Sequence, residues 1–148
     1  MSYSAGETLI LAAVRTCTGF SATNTSRGNW QMISKGTSDH YAIIRLGNSS
    51  VEFVTVNRYH ARYTTVIELW QRYTDDGTSL TNLYGYLANL LTGLQAYARL
   101  GDTGGTVISA GLSSVGEPEE MWQSGGGPAW LRILLSLSWV EESAATFI

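Results

Sequence analysis

The sequence predicts an α+β fold, in which a mostly antiparallel sheet carries two helices packed on one face. Three observations lead to this fold class. The predicted strands follow one another in runs and do not alternate with helices, two segments have the apolar spacing of helices, and the last apolar segment alternates with a period of two. The 148 residues suffice for one domain with a real core, so we expect a single domain over 1–148.

Two segments predict the helices. The first helix is expected from about Ala5 to Thr18, because Ser4 and Glu7 have the spacing of a capping box at its start. The second helix is expected to begin in "TDDGTS" and to end at Gly101, since glycine favours a helix C-terminus. Its apolar residues recur at helical spacing, namely Leu80, Leu83, Tyr84, Leu87, Leu90, Leu91 and Leu94.

Runs of β-branched and aromatic residues predict the strands that precede the last one. These strands are Tyr41–Leu46, Val51–Tyr59, Arg62–Tyr73 and Thr106–Ser114, with a further short strand expected at Trp30–Ser34. The polar triplet "NSS" is predicted to turn the chain between the first two of them.

The segment "PAWLRILLSLSWVEE" predicts the last strand. Read as a helix it is apolar on every side, whereas a period of two places both serines on one face. The apolar face would then carry Ile133, Leu135, Leu137 and Trp139. We expect this strand to pair with Thr106–Ser114 and to bury that face beneath the helices. Each such side chain contributes about 1.5–3 kcal/mol when it is fully buried.

The composition excludes several classes of protein. Charged residues make up 14% of the chain, against a usual value of about 25%, so we expect other molecules, including copies of this chain, to cover part of its surface. The net charge of −3 argues against a nucleic-acid-binding module. The lone cysteine, Cys17, allows no intramolecular disulfide and is expected to be a small buried apolar residue. Neither a signal peptide nor a membrane-spanning segment is predicted.

The search for catalytic chemistry predicts a protein that is not an enzyme. The tripeptide "SDH" holds Ser38, Asp39 and His40 side by side, but consecutive residues do not reach the geometry of a catalytic triad. His60 stands between two arginines in "RYHARY", which is interpreted as a solvated turn between strands. The spacings of known metal sites are absent from the sequence, so we expect neither a metal nor a cofactor.

The aromatic residues point to a protein–protein interface. The chain has five Trp and eight Tyr residues, and Trp, Tyr and Arg are the usual anchors of interfaces. Two predicted loops, Phe20–His40 and Met121–Gly127, are expected to contact partners. The candidate interface residues in or beside them are Arg27, Trp30, Met121, Trp122 and Trp130.

The order of the elements resembles that of bacteriophage tail-terminator proteins of long-tailed phages. The resemblance lies in an N-terminal helix, a loop with "RGNW", the strands "YAIIRLG" and "VIELWQRY", a Leu-rich helix, the strand "GGTVISAG" and a final strand that runs into "EE". It spans nearly the whole chain, and it is a pattern of size, element order and aromatic-rich strands with no diagnostic motif.

The resemblance implies a structural role in a virion. Proteins of this family form a ring, typically a hexamer, that caps the growing tail tube, ends its polymerisation and joins the tail to the head connector. The implied partners are therefore further copies of the chain, the tail-tube protein and the connector or neck protein, with DNA only passing through the lumen. The implied location is the head-proximal end of the tail, after assembly in the host cytoplasm.

Two other functions fit the sequence. A head-completion or neck protein, or a tail-tube subunit, belongs to the same virion and would share this composition. A small α+β enzyme or ligand-binding protein belongs to a different class, and His40 and His60 near a pocket would carry its activity.

Overall fold

A computed structural model describes residues 3–55, 58–95, 107–121 and 129–144, and it confirms the α+β fold. The described helices are α1 (Tyr3–Thr16), α2 (Gln31–Lys35) and α3 (Asp76–Gln95). The described strands are β1 (Thr25–Arg27), β2 (His40–Thr55), β3 (Arg58–Arg72), β4 (Val107–Val115), β5 (Glu119–Met121) and β6 (Trp130–Ala144). Among these residues no helix is long and apolar enough to cross a membrane.

The strands form a single sheet with the order β1-β2-β3-β6-β4. Only the short β1 pairs in parallel, with β2, and the other described pairs are antiparallel. The predicted pairing of the last strand with β4 is confirmed, since Leu137 lies opposite Leu112. The other side of β6 pairs with β3 along its whole length, from Trp130 to Ala144.

The main core lies between the sheet and the two long helices. The side chains of Ile133, Leu135, Leu137 and Trp139 are all 2% exposed or less. They pack in one cluster with α1 residues such as Ile10 and α3 residues such as Leu83. The period of two in the last strand therefore predicted the correct buried face.

A second, smaller core covers the opposite face of the sheet. Tyr41 and Ile43 alternate along β2 with the main-core residues, and they pack with Ile33 of α2 and with Trp130. The segment predicted as a strand at Trp30–Ser34 is instead the helix α2, whose buried residue is Ile33. Trp130 is 1% exposed, so in this conformation it packs inside the subunit and is not on the surface where an interface anchor must lie.

The predicted turn at "NSS" is wrong, because β2 continues through it to Thr55. The register with β3 shifts between Leu46 and Ser49, which places a bulge at this point. Gly47 permits the close approach of the two strands there, since a Cβ atom would lie 2.7 Å from the carbonyl oxygen of Thr64. The polar triplet thus belongs to a bulged strand, and the chain reverses after Thr55.

The helix boundaries differ from the prediction at the first helix. α1 begins at Tyr3, so Ser4 lies within the helix and not at the N-cap position where it was predicted. The start of α3 is as predicted, and Asp75 caps it by accepting a hydrogen bond from the Thr78 amide at 2.8 Å. The predicted C-terminal residue Gly101 lies outside the described residues.

Cys17 is 4% exposed and packs in the main core, as predicted. Its burial raises the pKa of the thiol. Gly93 of α3 contacts it so closely that an added methyl group would overlap the sulfur atom. We therefore expect Gly93→Ala to lower the free energy of unfolding by about 1–3 kcal/mol, as overpacking does, when measured by urea denaturation.

Two further variants isolate the cause of this effect. Gly85, in the same helix, has no atom within 4 Å of an added Cβ, so Gly85→Ala should stabilise by about 0.5–1 kcal/mol. In a Cys17→Ala background the loss at Gly93→Ala should shrink, because the overlapping sulfur is gone. An equal loss in both backgrounds would show that the contact with Cys17 is not the cause.

Candidate assembly interface

A buried carboxylate organises the face of the sheet that carries the smaller core. Glu68 of β3 is 3% exposed. Its Oε1 atom accepts hydrogen bonds from the indole nitrogens of Trp30 at 2.9 Å and Trp70 at 3.1 Å. Its Oε2 atom accepts a hydrogen bond from Nε of Arg45 at 2.5 Å. The charge of Glu68 is thus compensated by three fixed donors, and these donors hold two aromatic rings and one guanidinium in place.

Trp30 lies on the surface, as a predicted interface anchor must. Its side chain is 45% exposed, while its indole nitrogen is bonded to Glu68. A ring that is already fixed loses little conformational entropy on binding, so an anchored and exposed tryptophan suits a contact surface.

Arg27, the predicted arginine anchor, lies at the end of β1 and pairs with Glu7 of α1. Its Nη2 atom is 3.0 Å from Glu7 Oε1. The strand itself is held by Arg15, which donates hydrogen bonds to the side chain and the carbonyl of Thr25 at 2.8 and 3.0 Å. Gly28 follows with a φ of +66°, a conformation that favours glycine and turns the chain toward Trp30.

The two ion pairs at this edge share an arrangement. The guanidinium side chains of Arg27 and Arg45 are 40% and 36% exposed, whereas their partners Glu7 and Glu68 are 10% and 4% exposed. Each carboxylate is therefore covered by the fold and each cation faces outward. A cavity of about 400 Å³ lies between them, lined by Glu7, Arg27, Gly28, Ile44 and Arg45.

The opposite edge of the sheet is acidic. Because β3 occupies one side of β6, both β4 and β5 lie on its other side. The link between them and β5 itself expose Glu117, Glu119 and Glu120. Glu119 pairs with Arg132 at 3.1 Å. The other two border a second cavity of about 370 Å³, lined also by Tyr73, Leu80, Tyr84, Pro118 and Leu131.

Two of the remaining predicted interface residues, Met121 and Trp122, are not shown on an exposed surface. Met121 ends β5 opposite Trp130 and is partly buried against the smaller core. Trp122 and the rest of the loop to Gly127 lie outside the described residues. The structure therefore brings Arg27 and Trp30 to one edge and Met121 to the other.

His40 has a structural role within the subunit. It is 7% exposed and stacks on Tyr86 of α3, with 3.6 Å between the ring centroids. Its Nδ1 atom is 2.6 Å from Asp39 Oδ1, and its Nε2 atom is 2.5 Å from the carbonyl oxygen of Gly19. The hydroxyl of Ser38 bonds the backbone of His40 and not its ring. With both ring nitrogens so engaged, this tripeptide does not form a catalytic triad.

The enzyme alternative depends on the surroundings of His40 and His60. Burial, with a smaller effect from the charge of Asp39, raises the pKa of Tyr86. His60 lies within β3, opposite Glu52, and not in the turn that was predicted for it. Among the described residues, no group of three or more His, Cys, Asp or Glu side chains is placed to hold a metal ion.

Sequence reasoning missed Glu7, Arg45 and Glu68 as parts of this candidate interface. A charged residue amid apolar ones in "YAIIRLG" and in "VIELWQ" was a usable signal, because a charge inside a strand core needs a partner. Compared with known proteins, the chain matches no protein-family model, and no curated protein matches it in sequence.

Proposed function

We propose that this protein is a structural virion subunit that assembles into a ring. The ring caps the tail tube of a long-tailed phage, ends its polymerisation and joins the tail to the head connector. Each subunit contributes contacts with its neighbours, the tube and the connector, and no catalytic step. The resemblance in element order supplies the phage context, and the edges of the sheet support assembly into a ring.

The observation that carries the proposal is a sheet edge that no other strand covers within the described residues. β4 has the sequence "VISAGLSSV", with neither a charged residue nor a proline. It pairs with β6 on one side, and no strand in the described part of the chain pairs with its other side. Proteins that stay monomeric usually protect such edges with charges, prolines or covering segments, since an open edge pairs with another chain.

A second open edge lies at the other end of the sheet. β1 covers β2 only at Ala42–Ile44, so β2 beyond Ile44 pairs on one side alone among the described strands. The paired residues can be followed across the sheet from β4 through β6 and β3 to β2. They place Leu112 of β4 at the same position along the strand direction as Leu46 of β2, and Val107 at the same position as Val51. The two open edges therefore lie at the same height on opposite sides of the subunit.

The strand directions favour pairing of these two edges between subunits. From β2 through β3 and β6 to β4 each strand runs opposite to its neighbour. Suppose that two copies are related by a rotation about an axis parallel to the strands. When β4 of one copy then lies beside β2 of the next, these two strands are antiparallel, as the neighbouring strands within each copy are. Such a contact joins different surfaces of each copy, and contacts of this kind form a ring when the rotation from one copy to the next closes. The low charge content of 14% agrees with a surface that is partly covered.

A lysine in the open edge tests this assembly. Gly111 of β4 is exposed and has no atom within 4 Å of an added Cβ, so Gly111→Lys should fold normally. We expect it to stay monomeric in light scattering and negative-stain images, because a lysine on an edge opposes strand pairing, while the unaltered protein forms uniform rings. Gly85→Lys is the matched control, since it adds the same charge at an equally open position of α3 and should leave rings intact.

The outcomes also separate the alternatives. Rings that persist in Gly111→Lys would show that β4 is not the contact, and an unaltered protein that stays monomeric would count against ring assembly. Long tubes in place of rings would assign the chain as a tail-tube subunit. When purified tail-tube subunits are added to preformed rings of a terminator, the tubes that they form should stop growing at the end that carries a ring. A head-completion or neck protein would leave tube growth unchanged.

A further inference from the structure

We infer that the cavity between Arg27 and Arg45 binds the acidic segment Glu117–Glu120 of a second copy of this chain. The inference rests on the proposed ring and names the charged contact that fixes its register. It assigns a partner in the next subunit to the outward-facing guanidinium groups of the cavity and to the carboxylates of Glu117 and Glu120.

The basic cavity has the chemistry of a carboxylate site. Arg45 is held through its Nε atom by Glu68, and its two terminal amino groups have no hydrogen-bond partner among the described residues. A guanidinium held in this way presents a planar pair of donors that matches the two oxygens of a carboxylate. Arg27, whose side chain is 40% exposed and pairs with Glu7, lines the same cavity, so an entering carboxylate meets two cations.

Two carboxylates of the acidic segment have no cation beside them in the described part of the chain. Glu117 and Glu120 are exposed, and no ion pair or hydrogen bond to either side chain is found within the described residues. Pro118 separates Glu117 from β5 and stiffens the approach to that strand. Two unpaired carboxylates on a stiff, exposed segment favour a cationic partner and oppose a second acidic surface.

The registers place the two surfaces at the same height. Gly116 donates a backbone hydrogen bond to the carbonyl of Leu134, and Leu134 is level, through Glu68, with Ile43 of β2. The acidic segment therefore begins at the height of β1, which pairs with Ala42–Ile44 of β2. If β4 of one copy pairs with the open part of β2 in the next, that segment meets Arg27 at the end of β1.

Complementary charge reversals test the contact. One variant, Glu117→Lys with Glu120→Lys, reverses the acidic segment. The other, Glu7→Gln with Arg27→Glu, reverses the charge at residue 27 of the basic cavity, leaves Arg45 with its partner Glu68, and removes the carboxylate that the new glutamate would face. Each variant alone should associate about tenfold or more weakly than the unaltered protein, because like charges then meet at residue 27 in every contact. Circular dichroism and thermal unfolding of each variant check that it folds.

Mixing the two variants gives the decisive result. In a ring of alternating variants every contact again joins opposite charges, so an equimolar mixture should form rings that contain both variants in equal amounts by native mass spectrometry. The control Arg62→Glu reverses an exposed arginine of β3, away from both edges, and should form rings by itself.

Each other outcome overturns a defined statement. Rings formed by either variant alone, or a mixture that stays dissociated while the unaltered protein forms rings, would overturn this contact and leave the ring itself standing. An unaltered protein that does not associate would overturn the proposed function, and the contact with it.

Discussion

Trp139→Ala is expected to lower the free energy of unfolding by about 3–5 kcal/mol, the usual cost of truncating a large core aromatic residue. Trp139 is fully buried beneath the helices and stacks on Tyr63, with 4.3 Å between the ring centroids. Its ring also contacts Gly6 of α1 so closely that a side chain there would overlap it. The truncation therefore leaves a cavity at the point where β6, β3 and α1 meet.

Urea denaturation followed by far-ultraviolet circular dichroism measures this loss without relying on tryptophan fluorescence. Trp30→Ala is the matched control, because it removes the same side chain from a position that is 45% exposed. It gives up mainly one hydrogen bond to the Glu68 carboxylate, so its loss should stay near 1.5–3 kcal/mol, about the net value of a hydrogen bond to a charged group. Equal losses for the two variants would contradict the placement of Trp139 in the core.

The last strand shows which part of this fold the sequence was able to predict. Its apolar residues and its two serines separate cleanly at a period of two, and that separation holds whichever strand lies beside it. The buried face and the pairing with β4 were therefore predicted correctly. The longer pairing with β3 was not, since alternation specifies a face and leaves the choice of neighbours to the rest of the sheet.

The errors arose where tertiary contacts override local preference. "NSS" has the composition of a turn, but pairing with β3 on the other side of a bulge keeps it within β2. The segment after Trp30 is apolar enough for a strand and forms α2 because Ile33 fills the smaller core beside Tyr41 and Trp130. That core was not predicted, and for the same reason Trp130 was assigned to an interface.

The candidate interface was predicted in part. Residue type alone led to the selection of Arg27 and Trp30 as interface candidates, because both stand in a segment of polar sequence where an exposed Trp or Arg has few structural uses, and their role at an interface stays a prediction. Arg45 and Glu68 were missed because their contact depends on register. Glu68 lies opposite Ile43, so it reaches Arg45 only as a diagonal neighbour across β2 and β3.

Arg45→Met is expected to lower the free energy of unfolding by about 3 kcal/mol, near the low end of the cost of breaking a buried ion pair. The methionine keeps much of the apolar stem of Arg45 and removes its charge. Glu68, which is 3% exposed, then keeps two indole donors but loses its cation. The expected loss exceeds that of an exposed ion pair, about 0–1 kcal/mol, because the carboxylate cannot be rehydrated without opening the smaller core.

The double variant Arg45→Met with Glu68→Gln separates this cause from a simple loss of packing. A neutral amide at residue 68 still offers an oxygen to Trp30 and Trp70, whose indole nitrogens bond the present carboxylate. If the uncompensated charge is the main cost, the double variant should recover about 1–3 kcal/mol relative to Arg45→Met, the coupling expected of residues in one network. If the losses in the free energy of unfolding of the two single variants simply add in the double variant, the charge of Glu68 does not depend on Arg45 for its stabilisation. The guanidinium would then owe its outward orientation to something other than the buried carboxylate, and the preorganised carboxylate site proposed for a neighbouring subunit would lose its structural basis.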